Sequence, residues 1–260
     1  NLNVLEKNSK LGGRARQFSA KGFTFDMGPS WYWMPDVFEK YFKDFGKDIN
    51  DYIKLKRLDP SYKVFFDDEV IDIPADYNSL KDLLDSMEEG SGDKLDEFLA
   101  QAEKKYKVGI ENLVYKPGLS LSEFIDKDTI SGIFELDVFK SMYNHIRKYF
   151  KNEKIIKLLE FPVLFLGATP KNTPALYSLM NYADIKLGTW YPEGGMYKVV
   201  EAMINLAKEK GVKFYSGEDV RKFSYVNKNI SHVITSKKTF DVDYVVCSGD
   251  YHHFDQNILK

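Results

Sequence analysis

Four short stretches of the sequence hold residue types that could do chemistry. Glu6 closes the apolar run Val4-Leu5. A carboxylate at a strand end has two oxygens with which to accept from both hydroxyls of a ribose. Gly12-Gly13-Arg14 follows. Glycine lets a backbone approach a ligand closely and take positive φ, and arginine offers a rigid, permanently charged fork for a pyrophosphate or a ring carbonyl. The segment Asp26-Met27-Gly28-Pro29-Ser30 ends an aromatic stretch, and Tyr191-Pro192-Glu193-Gly194-Gly195-Met196 runs into an amphipathic segment. In a dinucleotide-binding βαβ unit such an acid lies about 20 residues after a Gly-rich phosphate loop, which would put that loop ahead of residue 1. A solvated acid, an ordinary glycine turn and a surface arginine use the same residue types, and both readings stand on these residues alone.

Other reactive side chains are few. His145 falls in a helical region, His232 in a hairpin strand, and His252-His253 near the end of the chain. None has metal-ligand spacing to a partner acid, so no metal is expected. No general base emerges. Asp250, beside the last strand expected, is the one candidate for shaping a reactive pocket. The single cysteine, Cys247, allows no internal disulfide and sits in Tyr244-Val245-Val246-Cys247, which reads as a buried strand.

A net charge of -2 gives no basic excess for nucleic acid, and 43% hydrophobic residues suffice for a substantial core. No apolar run reaches the roughly 18 residues needed to span a bilayer. The chain starts with Asn, inside a strand, and is expected to be a fragment incomplete at both ends.

Periodicity supplies the frame for these residues. Residues 1–6 read as a strand end and 21–26 as another strand, with Phe23 and Phe25 on one side. Pro35 opens a helix with Val37, Phe38, Tyr41, Phe42 and Phe45 on one face and Gly46 as its stop. Two strands flank the Asp67-Asp68-Glu69 turn. Asn78 or Ser79 then caps a helix to about Glu89, and Asp93 caps the next, with Leu95, Phe98, Leu99, Ala102 and Tyr106 in a stripe. Residues 137–150 repeat that pattern through Val138, Phe139, Met142, Ile146, Tyr149 and Phe150. A helical block thus spans 78–187, interrupted at Pro117-Gly118 and Thr169-Pro170. A further helix carries Met196, Val199, Val200, Met203 and Leu206 and stops at Gly211. A strand at 212–215 and a hairpin about Asn227-Lys228-Asn229 follow. The expected domains are 1–77 with 188–260, sharing one sheet, and a mainly helical 78–187.

The segments "VLEKNSKLGGRARQF" and "GFTFDMGPSWY" resemble the second-strand region of the FAD-dependent amine oxidase superfamily. "FLGATPKNTPALYSLMNYADIKLGTWYPEGGMYKVVEAM", at 165–203, resembles bacterial carotenoid desaturases of the phytoene desaturase type, and the likeness covers essentially the whole chain. The resemblance implies an α/β, Rossmann-like FAD-binding fold of the glutathione-reductase type with an inserted helical substrate domain. It implies FAD contacts at Glu6, Gly12, Gly13, Arg14, Asp26, Gly28, Pro29, Ser30, Gly194, Gly195 and Met196, and a backbone contact to adenine at Val220. The activity implied is desaturation of phytoene towards lycopene, with an electron acceptor that the resemblance does not name. Other flavin oxidoreductases of the superfamily (a hydroxycarotenoid desaturase, an amine or porphyrinogen oxidase) and non-catalytic escorts of prenylated proteins share the architecture. A polyene substrate implies an apolar tunnel and a cytoplasmic enzyme held peripherally on the inner face of the cell membrane. Arg147, Lys148, Lys151 and Lys154, with the apolar run at 155–166, are the candidate membrane contact, and a solvated helix face is the alternative.

Overall fold

The computed structural model describes residues 1–115, 119–120 and 140–259. Among them are eleven strands: β1 (Asn3–Glu6), β2 (Gln17–Ala20), β3 (Phe23–Asp26), β4 (Leu55–Arg57), β5 (Tyr62–Phe65), β6 (Val70–Ile73), β7 (Trp190–Pro192), β8 (Lys213–Ser216), β9 (Val220–Val226), β10 (Asn229–Thr235) and β11 (Thr239–Asp241). The chain divides into two compact units, residues 1–30 with the chain from Pro192 onward, and Trp31–Tyr191.

The first unit is α/β. β1 and β8 pair in parallel, with Glu6 opposite Ser216, so the two flanks of the chain do share a sheet. Parallel neighbours need a crossover. Here the helix Tyr197–Glu209 leads into β8 and buries Val199, Ala202 and Leu206. β2 and β3 form an antiparallel hairpin whose Phe18 and Phe25 rings stack at 5.0 Å. β9, β10 and β11 form an antiparallel meander, and Asn227 and Lys228 turn its first hairpin with φ of 51° and 68°. Two successive positive φ values match the right-handed twist of the flanking strands. The expected strand at 244–247 does not form. Tyr244 and Val246 are 92% and 91% exposed and Cys247 is exposed, because no described strand offers that segment a ladder.

The second unit is built on a helical core. The helices Tyr77–Met87 and Ser91–Tyr106 pack their stripes against Met142, Ile146, Phe150, Ile155, Ile156 and Leu159. Ile71 and Ile73 of the β5–β6 hairpin join the same core, and β4 pairs with β7. The boundary therefore falls near 30 and 191 rather than at 77 and 187, since strands that bury their side chains in the helical core belong with it. The helix over Pro35–Asp44 forms as expected, with Pro at its start, Phe42 buried and Gly46 at φ 70° after it.

The caps differ from expectation. Asp76, not Asn78 or Ser79, caps the first long helix, its Oδ1 accepting from the Ser79 amide at 2.8 Å. Three cap-forming side chains occur within four residues, and the first of them takes the position. Gly90 precedes the next helix at φ 77°, leaving Asp93 in its first turn, where a carboxylate favours the positive helix end. Of residues 137–150, Met142–Ile146 is helical, capped by Ser141. Val138, Phe139 and the Pro117-Gly118 interruption lie outside the described residues.

Phe98 is fully buried and touches the rings of His145, Tyr149 and Phe150. Phe98→Ala should cost about 3–5 kcal/mol of unfolding free energy, read by urea denaturation, because the cavity it leaves is walled by rings that cannot collapse into it.

Candidate functional site

In the first unit the sequence-predicted residues converge in small groups. Glu6 stands at the C-terminal end of β1, its Oε1 accepting from the backbone and side-chain nitrogens of Asn8 at 2.8 and 2.6 Å. Its own carbonyl accepts from the Glu218 amide at 2.9 Å, which brings the turn before Val220 against the strand end. Gly12 has φ 112°, and a Cβ there would meet Tyr197 and Val200 at 3.1 Å. Gly13, at φ 52°, has open space where a Cβ would be, so its backbone is bare to an incoming group. Gly28 has φ 106°, and a Cβ would come within 2.5 Å of the Arg14 carbonyl oxygen. Only glycine allows that crossing of the two loops.

The Arg14 side chain is 94% exposed and meets Asp250 at 3.5 Å. Asp250 accepts from the His253 amide at 2.8 Å and starts the helical turn Tyr251–His253. That hydrogen bond, aided by the Arg14 and histidine charges, holds its carboxyl below the usual range. Ser30 makes one long contact, to the Gly28 carbonyl at 3.5 Å, beside Pro29.

Asp26 has a role that sequence reasoning missed. Its Oδ2 accepts from the Met196 amide at 2.8 Å and its Oδ1 from the Tyr197 amide at 3.2 Å. Gly195, at φ 103°, passes so close that a Cβ would lie 3.1 Å from Oδ2. Tyr197 was also missed. Its hydroxyl donates to the Leu11 carbonyl at 3.0 Å, and its ring lies over Gly12. No local pattern could have revealed either contact, since the partners are 170 or more residues apart in sequence. Of the histidines, His232 lies between the Ser224 and Ser231 hydroxyls and the Asp241 carboxylate, and His145 is buried beside Lys105. Among the described residues no group of three His, Cys, Asp or Glu side chains could hold a metal.

The second unit holds an aromatic cluster. Trp31 lies 5.7 Å from Trp33, 5.9 Å from Phe161 and 5.6 Å from Phe165 between ring centroids, with Tyr62 at 6.5 Å. The polar ends of this cluster turn inward. The Tyr62 hydroxyl donates to Asp184 at 2.6 Å, Thr189 donates to the other Asp184 oxygen at 2.8 Å, and the Trp33 indole N–H donates to Thr189 at 2.8 Å. Arg57 donates to the Leu187 carbonyl beside them. Burial pushes the Asp184 carboxyl up to about 6 against the lowering effect of those hydrogen bonds.

The segment expected to meet a membrane divides between core and surface. Ile155, Ile156, Leu159 and Val163 are core, whereas Leu164, Phe165 and Leu166 are exposed by 68%, 49% and 40%. Lys154 pairs with Asp68 at 2.7 Å and with Glu69. Arg147 pairs with Glu160 at 2.5 Å and Glu153 at 3.3 Å. Two of the four cations are thus neutralised by their own neighbours.

A strand-end acid on a parallel pair, bare glycine backbone beside an exposed arginine, and a Gly-Gly turn opening a helix are the parts that a nucleotide-binding α/β protein uses. The chain belongs to the family of flavin containing amine oxidoreductases, which residues 1–258 match. FAD is the cofactor that this membership assigns, and Glu6, Gly13 and Arg14 fit it, with an acceptor, an unshielded backbone and an exposed cation. Relatives include the carotenoid 3,4-desaturase of Haloarcula japonica, 36% identical over 99% of this chain and 52% of its own length. The zeta-carotene-forming phytoene desaturase of Myxococcus xanthus is 30% identical over 99% and 50%. The 4,4'-diapophytoene desaturase of Staphylococcus aureus is 33% identical over 98% and 49%. The chain therefore spans about half the length of the curated relatives it matches. An oxidoreductase from Methanosarcina mazei shares the fold, with a TM-score of 0.53 and 18% identity over 93% of this chain and 51% of that one.

The Asp184 group has a consequence for stability. A carboxyl raised in the folded state binds a proton there that the unfolded chain has released, so stability falls as pH rises from about 4 to about 6 and stays reduced above. Asp184→Asn should flatten this dependence. Thermal unfolding of wild type and variant across pH 4–7 measures it, with a difference of up to roughly 3 kcal/mol between the two ends.

Proposed function

We propose that this chain is part of an FAD-dependent oxidoreductase that desaturates a carotenoid, acting on adjacent carbons of a long apolar chain. The observation that carries this reading is 30–36% identity over essentially the whole chain to three proteins named as carotenoid desaturases. FAD, when bound, supplies the acceptor for a hydride equivalent, which no amino-acid side chain can take up. In this reading Glu6 holds the adenosine ribose, Gly12 and Gly13 lie beside the pyrophosphate, and Arg14 neutralises charge there. The Gly28–Ser30 and Gly194–Met196 turns border the flavin, and Val220 offers backbone to the adenine.

A polyene carries no hydrogen-bonding group, so its affinity comes from apolar area, at about 25 cal/mol per Å². The ring faces of the second unit suit it, and the polar ends of Tyr62 and Trp33 are already used on Asp184 and Thr189. Within this class we read the substrate as phytoene, converted towards lycopene, supported by the likeness of residues 165–203 to phytoene desaturases and by the M. xanthus relative. A desaturase for a later carotenoid, hydroxylated or not, is the second reading, and the H. japonica relative is named a carotenoid 3,4-desaturase. The strand-end Glu6 and the Gly-Gly-Arg loop weigh against a non-catalytic escort, which needs no nucleotide contacts.

The test is pigment extraction from cells that make phytoene, diapophytoene or lycopene and co-express the full-length gene. New, more conjugated pigment in the phytoene strain alone is the expected result. Pigment arising only from lycopene favours the second reading, and no change in any strain with a colourless protein overturns the desaturase reading.

The same reading makes the protein cytoplasmic and peripheral to the inner face of the cell membrane, where such a substrate partitions. No described helix is long and apolar enough to cross a membrane. The exposed turn Leu164-Phe165-Leu166 supports surface contact through apolar side chains. Vesicle flotation should lose the Leu164→Glu/Phe165→Glu double variant and change little with 0.5 M salt, since the neighbouring cations Arg147 and Lys154 are already paired.

A further inference from the structure

We infer that Asp26 is a positioning residue, not a flavin ligand: it presents the Gly194-Gly195-Met196 turn to the cofactor by capping the helix that this turn opens. The inference rests on the flavin reading above and deepens it. The helix Tyr197–Glu209 begins with amides that have no intrahelical acceptor. The residue ahead of it, Met196, has no side-chain oxygen and makes no cap. Asp26 supplies the missing acceptor from the end of β3, with one oxygen on the Met196 amide and the other on the Tyr197 amide. Both bonds are charge-assisted, and the carboxylate faces the positive end of the helix.

Three further features depend on this contact. Gly195 runs past Asp26 with no room for a Cβ, and its φ of 103° belongs to glycine. The Gly195 amide donates to the Pro192 carbonyl at 3.0 Å, which closes the turn against the capped helix. Tyr197, the second residue capped, then reaches the Leu11 carbonyl and covers Gly12, so the Gly12–Arg14 loop is set from the same helix end. A helix N-terminus is often an anion site. Here the chain's own carboxylate takes the first two amides, so this helix end holds the framework and is closed to the pyrophosphate.

The test uses the full-length protein, with FAD affinity measured by flavin fluorescence quenching and the environment of the ring by visible absorption. Asp26→Ala should weaken FAD binding about tenfold and shift the flavin absorption band, with Asp26→Asn falling between, since it keeps one acceptor oxygen in place of two and loses the charge. Gly195→Ala should give the same shift by pushing against the intact carboxylate. In the double variant the two losses should not add, because both act on one turn. Circular dichroism of each variant reports retained secondary structure, and Ser19→Ala, at an exposed hydroxyl of the same hairpin, serves as the fold control and should bind as wild type. Additive losses would make Asp26 a direct ligand and overturn the inference, as would Asp26→Ala with unchanged affinity and spectrum. Failure of wild type to take up FAD would instead remove the flavin reading and the inference with it.

Discussion

The helix Tyr197–Glu209 exposes amides at its start that its own sequence leaves without an acceptor, and Asp26 satisfies two of them from 170 residues away. The Gly12–Arg14 and Gly194–Met196 loops of the first unit are built around this contact. The β2–β3 hairpin can end where it does because its last residue, Asp26, is anchored on the helix. A Cβ on Gly195, at φ 103°, would crowd that anchor at 3.1 Å, and one on Gly12, at φ 112°, would crowd Tyr197 and Val200 of the same helix at 3.1 Å. Two glycines and a tyrosine thus have one cause: a helix end that must be capped from another part of the chain. Hydrogen bonds donated to a carboxylate contribute about 1.5–3 kcal/mol each, enough to hold a short turn in a conformation that only glycine tolerates.

The second unit solves a different problem with the same economy of polar atoms. Tyrosine and tryptophan bring large apolar faces but carry an N–H or O–H that must find a partner when buried. Here Asp184 and Thr189 collect the donors of Tyr62 and Trp33 at one buried point. The cost is a carboxyl kept out of water, and its raised affinity for a proton records that cost. What results is a set of ring surfaces in which the donors of Tyr62 and Trp33 are already used. The faces of Tyr62 and Trp33 therefore offer a ligand apolar area and no free donor of their own.

Features governed by local periodicity were legible in the sequence. The stripe Leu95, Phe98, Leu99, Ala102, Tyr106 is buried as its spacing requires, and the Asn227-Lys228 turn closes its hairpin. Glu6 could be recognised as a strand-end acid, and β1 does pair in parallel with the distant β8. Caps were harder, because Asp76, Asn78 and Ser79 all have suitable oxygens and the choice is made by where the preceding chain leaves the β5–β6 hairpin. The segment 244–247 shows the limit most plainly. Its apolar residues have strand propensity, but a strand exists only when a neighbour offers hydrogen bonds, and propensity carries no information about that neighbour. Asp26 was legible as part of a motif yet not in its role, since its partners are fixed by tertiary structure alone.

Asp26 and Arg14 illustrate how charge is divided in the first unit. Both Asp26 oxygens are committed to backbone amides of a helix, so the residue's charge is spent on framework. Arg14 is the opposite case. Its backbone is fixed, because its carbonyl lies against Gly28 too closely for any side chain there, while its guanidinium extends into solvent and meets Asp250 only at 3.5 Å. An exposed pair of that length contributes little to stability. The guanidinium can therefore leave Asp250 for a stronger anion at small cost, and a pyrophosphate, with several oxygens in place of one long contact, is such an anion. In the function proposed above, the rigid part of the loop positions this residue and its exposed guanidinium takes the pyrophosphate, a division possible only because the neighbouring glycine lets the two backbones cross.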